Sequence, residues 1–189
     1  MKKFFVMATV LLCMFTVTTA FAAKVSPEEQ RKQVDELSVK TLNKLYSKRP
    51  DVRSVIEEEC YAWATLSSTS IKGLIFGSSH GRGIAYNNQT GERFYMRMKE
   101  ISAGIGLGAK EYNLVFIIKN RAAWDNFISG KIRFASSAEA SANDGVSGGS
   151  FEDASYVAPG VWVYQMTTKG LTLEATLKGM KVYKDRKLN

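Results

Sequence analysis

Residues 93–109 read RFYMRMKEISAGIGLGA, and their period of two decides the fold. Phe94, Met96 and Met98 alternate with Tyr95, Arg97 and Lys99. Ile101, Ala103, Ile105, Leu107 and Ala109 then alternate with Ser102, Gly104, Gly106 and Gly108. Successive residues of a strand point to opposite faces, so each half reads as a strand with one apolar face. The second of these strands is almost bare on its other face. That permits close backbone approach by another element, or the sharp bend that closes a barrel.

Working outward, Tyr112 to Ile118 is a continuous, β-branched apolar run, which predicts a strand buried on both faces. Asn120 then caps a short helix, Arg121 to Ser129, with Trp124, Phe127 and Ile128 inward and Gly130 as its stop. A further alternating strand is expected from Lys131 through Ile132 and Phe134, followed by a long loop over residues 141–155. Three strands, Val157–Met166, Leu171–Leu177 and Met180–Tyr183, complete the β region.

Upstream, the pattern is helical. Ser26-Pro27-Glu28-Glu29 is a helix start, with an N-cap serine, proline in the first turn and acids beside the positive helix end. Val34, Leu37, Leu42 and Leu45 recur at helical spacing up to about Lys48, where Arg49-Pro50 closes the segment. Asp51 opens a second short helix that runs to Glu57-Glu58-Glu59. The expected fold class is α+β, with N-terminal helices packed on a mostly antiparallel, barrel-like or sandwich β-domain.

Residues 1–22, MKKFFVMATVLLCMFTVTTAFA, have two lysines, an apolar stretch and an Ala-Phe-Ala ending. They read as a signal peptide cleaved after Ala22, which implies export to the periplasm or cell envelope. The rival reading is a retained membrane anchor, because about 20 apolar residues span a bilayer. Acylation of Cys13 is disfavoured, since Leu12 stands where a small residue is needed. The mature chain, residues 23–189, is expected to form a single domain with an N-terminal helical region over about 26–59.

Composition excludes several chemistries. With 45% hydrophobic and 23% charged residues the chain is an ordinary globular protein rather than a disordered one. One histidine and two cysteines cannot build a zinc site of soft ligands or a disulfide framework, so no metal and no cofactor is expected. Cys60, beside Tyr61 and Trp63, reads as a small buried side chain. Gly104-Ile-Gly-Leu-Gly-Ala109 matches a dinucleotide fingerprint in letters, but the required strand-to-helix context is missing. Gly77-Ser-Ser-His80-Gly-Arg82-Gly83 lacks the GK[ST] ending of a phosphate loop and reads as a turn or bulge carrying an exposed loop histidine. No acid, base and nucleophile assemble into a catalytic signature, so the chain is expected not to be an enzyme. Asn88-Gln-Thr90 is a glycosylation sequon in a eukaryotic setting alone.

The net charge of +8 points to anionic partners. Lys40, Lys44 and Lys48 are spaced by four, with Arg49 at the end of their stripe. Two readings stand side by side: a basic helix lying on an anionic membrane surface, and a set of bases complementing the helix dipole. Arg82, Arg93, Arg97, Lys99, Lys169, Lys178 and Lys181 fall on strands or turns, and their sharing of a face is not legible in the sequence. Export removes nucleic acid as a partner.

The ordered series Ser70-Ile-Lys72-Gly73-Leu-Ile-Phe-Gly77, Gly81-Arg82-Gly83-Ile-Ala-Tyr86, Ser102-Ala-Gly104-Ile-Gly106-Leu-Gly108-Ala-Lys110, Leu114-Val-Phe-Ile-Ile118 and Trp124-Asp-Asn-Phe-Ile-Ser-Gly130-Lys131 resembles the SYLF domain family. The resemblance spans about Leu42 to Tyr183. It departs from the family pattern at Ala135, where relatives often carry glycine, and at Glu174, which fills a small-residue position. The resemblance implies a non-catalytic protein that binds phospholipid or phosphoinositide-type headgroups through its N-terminal helical region and β-domain. Lys40, Lys44, Lys48, Arg49, Lys72 and Arg82 are the candidate lipid-binding residues. An envelope module recognising a protein or glycan partner is the alternative, and the actin binding of eukaryotic relatives fits an exported protein less well.

Overall fold

A computed structural model describes residues 25–70, 77–102, 112–134, 153–167, 170–172, 177 and 179–189. Residues 1–22, expected as a signal peptide, Lys72, the glycine run 104–108, Ala135, residues 141–152, Lys169, Glu174 and Lys178 lie outside the described residues.

Helix α1 spans Pro27–Tyr46, and the Ser26 hydroxyl accepts from the Glu29 N–H at 3.1 Å. A short α2, Val52–Ser54, runs on into a wide π turn, Val55–Glu59. The strands are β1 (Ala62–Ser70), β2 (Gly77–Asn87), β3 (Arg93–Ser102), β4 (Tyr112–Ile118), β5 (Ser155–Ala158), β6 (Val161–Thr167), β7 (Gly170–Thr172) and β8 (Met180–Lys184), with α3 (Arg121–Ile128) after β4. They form one antiparallel sheet in the order β5-β6-β4-β1-β2-β3-β8, and β7 joins β6 beside β5.

The sheet is curled, and α3 shows why. Phe127 stacks edge-on against Phe116 of β4 at 5.2 Å, while Trp124 lies 6.1 Å from Phe94 of β3. Two strands separate β4 from β3, and strands lie about 4.8 Å apart. A flat sheet would hold those rings too far apart for one two-turn helix to touch both. Small residues fill the middle of the curl: the cross-strand row is Phe116, Ala64, Ala85, Phe94, with the alanines giving Trp124 its room. Gly83 is needed for another reason. A Cβ there would lie 1.7 Å from the Thr65 carbonyl oxygen, so β2 can cross β1 at this depth with glycine alone.

The opposite, convex face is covered by α1 and α2. Leu45, Tyr46, Val52, Ile56 and Cys60 pack on Val115, Ile117, Trp162, Tyr164 and Met166. A third, small cluster joins Val34 of α1 to Ile84 and Leu188.

The structure corrects several expectations. The strand expected to break near Lys99 continues through Ser102, because Glu100, Ile101 and Ser102 keep their pairing with Ser79, Ser78 and Gly77 of β2, while Lys99 and Glu100 also pair with Lys181 and Met180 of β8. No strand forms over residues 131–134; Phe134 instead packs against Phe116 and Phe127. The expected strand Val157–Met166 is a hairpin, β5 and β6, turned at Pro159-Gly160 with Gly160 at φ +72°. The segment expected as a turn at Gly77–Gly83 is part of β2, and His80 stands on that strand.

Helix α1 is also set differently from its leucine pattern. Leu37 and Leu42 are half-buried, and the fully buried positions between Val34 and Leu45 are Ser38 and Thr41. The reason lies beneath them. Ser38 Oγ pairs with Thr65 Oγ1 at 2.6 Å, Thr41 Oγ1 with Ser67 Oγ at 3.0 Å, and Ser67 donates to Asn113 Oδ1 at 2.7 Å. Each such bond contributes about 0.5–1.5 kcal/mol net, against about 1.5–3 kcal/mol for a fully buried leucine.

Candidate functional site

Side-chain parity sorts the basic residues. On the convex face, β2 presents His80, Arg82, Ile84 and Tyr86, β3 presents Arg93, Tyr95, Arg97 and Lys99, and β8 presents Lys181 and Tyr183. Register places them in rows. His80 faces Lys99, which faces Lys181; in the next row Arg82 faces Arg97. Facing side chains stand about 5 Å apart, and like charges in that position are destabilising. Five cationic or titratable basic groups therefore crowd one end of three adjacent strands.

One carboxylate serves this patch from below. Asp185 is buried, and its Oδ2 lies 3.4 Å from Arg97 Nε and 3.9 Å from Arg82 Nε, while its Oδ1 accepts the Lys187 N–H at 3.0 Å. The Asp185 N–H donates to the Tyr95 carbonyl, and the Asn189 side chain exchanges hydrogen bonds with the Tyr95 backbone, so the C-terminal turn is sewn to β3. Both arginines keep about a third of their side chains in solvent, at 34% and 36%. His80, Lys99 and Lys181 are exposed, and among the described residues no carboxylate pairs with either lysine. The patch can hold anionic groups by charge and by N–H donation.

Helix α1 touches the edge of the same face. Gln30 accepts from Arg82 at 2.9 Å, Asp35 forms an ion pair with Arg93, and the Tyr95 hydroxyl donates to Asp35 at 3.3 Å. Burial pushes the Tyr95 phenol above its usual range.

The residues anticipated from the sequence are scattered. Arg82 is in the patch. Lys40 and Lys48 are exposed, but Lys48 lies beyond the end of α1, and the Lys44 ammonium donates to the Thr167 carbonyl at 3.4 Å. Arg49 is engaged by Asp51 at 2.7 Å and Asp153 at 2.5 Å, and the Arg49 hydrogen bond holds the Asp51 carboxyl below its usual range. Lys72 lies outside the described residues. The helix stripe is thus spread over different surroundings, and Arg97, Lys99 and Lys181 take the central place. Their alternation with Met96, Met98 and Val182 was the available signal; the pairing of β3 with β8, far apart in the chain, was not.

Cys60 is buried, donates to the Ile56 carbonyl at 3.4 Å, and desolvation pushes its thiol up to about 12. It is a thiol at neutral pH, not a nucleophile. The Asn88 amide of the sequon donates to the Ile56 and Cys60 carbonyls and serves the fold. Among the described residues no group of three His, Cys, Asp or Glu side chains could hold a metal ion.

Comparison with known proteins finds two similarities in sequence. Residues 99–189 match the family described as Ysc84, Las17-binding protein actin regulator. Over 164 residues, 85% of this chain, the sequence is 28% identical to beta cell expansion factor A of Aeromonas veronii. The alignment spans 59% of that relative's length.

Proposed function

The chain belongs to the Ysc84 (SYLF) family through residues 99–189, and on that footing we propose that it is a non-catalytic protein of the cell envelope that binds anionic lipid. The carrying observation is the pair of cross-strand rows, His80, Lys99, Lys181 and Arg82, Arg97, on one sheet face. A bilayer with anionic headgroups offers a plane of negative charge, and each surface cation contributes about 1 kcal/mol toward it. Lys40 and Lys48 of the helical region are exposed and add to the basic surface of the protein. Cleavage after Ala22 delivers the protein to the periplasm or envelope, beyond the reach of nucleic acid.

The test is sedimentation of the form beginning at Ala23 with vesicles of phosphatidylcholine, with and without phosphatidylserine, across a salt series. Binding that needs the anionic lipid and weakens with salt is expected. Absence of binding at low salt refutes the reading. It would favour the second one, a module for an envelope protein or glycan partner, which draws support from the family's description as a Las17-binding protein.

A further inference from the structure

The way α1 is held suggests a role in controlling the cationic face. Along its first four turns or so the hydrogen bonds and ion pairs with the sheet are Gln30 with Arg82, Asp35 with Arg93 and Tyr95, Ser38 with Thr65, and Thr41 with Ser67. The apolar anchor in this half is Val34, in the smallest of the three clusters. The other end is fixed differently, since Leu45 and Tyr46 belong to the large cluster beneath α2. A helix gripped by apolar packing at one end and by hydrogen bonds at the other has its weak point in the polar half, because hydroxyls and ion pairs regain water when they part whereas apolar surface does not.

The polar half is also acidic. Residues 27–36 carry Glu28, Glu29, Asp35 and Glu36 against Arg31 and Lys32. This segment sits on the edge of a basic face and occupies Arg82 and Arg93, two of its cations. It stands where an anionic surface would stand.

We propose that residues 27–41 of α1 form a removable cover on the cationic face, and that an anionic bilayer is the partner that displaces it. The proposal rests on the lipid-binding function of that face. Competition by headgroups for Arg82 and Arg93 lifts the acidic half of the helix, with Leu45 and Tyr46 as the retained anchor. Displacement adds Arg82 and Arg93 to Arg97, Lys99 and Lys181 as cations available to the surface. Each added surface cation is worth roughly fivefold in binding, so closure of the cover holds affinity down by roughly tenfold or more.

The test locks the cover shut. In the form beginning at Ala23, Ser38→Cys together with Thr65→Cys places two thiols where hydroxyl oxygens now lie 2.6 Å apart. Binding to vesicles of phosphatidylcholine and phosphatidylserine is then measured with the pair oxidised and reduced, beside Lys99→Glu/Lys181→Glu. The expected result is roughly tenfold weaker binding on oxidation, restored by reductant. Equal binding in both states, with Lys99→Glu/Lys181→Glu still abolishing it, overturns the cover and leaves the cationic face standing. Binding indifferent to both changes removes the lipid reading at this face as well. Should the cysteine pair fail to fold, Gln30→Ala/Asp35→Ala opens the latch instead; tighter binding supports the cover, and unchanged or weaker binding refutes it.

Discussion

Arg82 and Arg97 stand directly opposite each other on β2 and β3, and both reach the same oxygen, Oδ2 of buried Asp185. Two guanidinium groups in facing positions repel, and the carboxylate beneath them offsets that repulsion. Asp185→Asn keeps the acceptor for the Lys187 N–H and removes the charge. Because the arginines keep solvent contact, the loss is smaller than for a fully buried pair: about 2 kcal/mol in urea unfolding. The same variant binds anionic vesicles more tightly at low salt. Wild-type stability would mean that Asp185 does not balance the arginines.

The hydroxyl seam under α1 predicts non-additivity. Ser38→Ala leaves the buried Thr65 hydroxyl without its partner and costs about 1–3 kcal/mol. Ser38→Ala with Thr65→Val removes both polar groups, and the double variant is more stable than the sum of the single losses predicts, by about 1 kcal/mol in a double-mutant cycle. Additive losses would show that the two hydroxyls do not act as a pair.

Gly83 sets the depth at which β2 crosses β1. Gly83→Ala brings a methyl group to 1.7 Å from the Thr65 carbonyl oxygen, where backbone cannot yield cheaply. The expected outcome is failure to yield soluble folded protein. Wild-type circular dichroism and melting temperature in this variant would refute the crossing geometry.

Cys60 gives the alkaline side of stability a signature. Its thiol is pushed up to about 12 by burial, above the value of about 8.5 in an unfolded chain. As pH rises the unfolded chain ionises first, so the contribution of this thiol is intact below about pH 8.5 and is lost between there and about 12. Relative to Cys60→Ala, the wild type loses up to about 1.4 kcal/mol per pH unit in that window. Parallel stability curves would place the thiol in a solvated site.

Legibility in the sequence followed the range of the interactions. Helix α1, α3 and β4 were readable because caps, periodicity and apolar runs are local: Ser26 and Asn120 accept the N–H bonds their letters announce. The apparent break after Lys99 was misleading, because the strand is carried to Ser102 by its pairing with β2, and as far as Glu100 by β8, some eighty residues later. The same long-range pairing hid the site. Arg97, Lys99 and Lys181 were visible as basic residues, but their assembly needs the β2-β3-β8 register. Lys40, Lys44 and Lys48 formed a tidy helical pattern, yet the Thr167 carbonyl that takes the Lys44 ammonium lies on β6. The setting of α1 was likewise decided by Thr65, Ser67 and Asn113 on the sheet below, and not by the leucines of the helix itself.

The most direct measurement sets two charge reversals against each other in vesicle sedimentation with phosphatidylserine at low salt. Lys99→Glu/Lys181→Glu alters the cross-strand row, and Lys40→Glu/Lys48→Glu alters the helical region by the same net charge. If the sheet face is the binding surface, the first pair abolishes binding while the second weakens it by a few fold, with both variants melting like the wild type. Equal effects of the two pairs, or loss confined to the helix variant, would contradict the assignment of the sheet face as the binding surface.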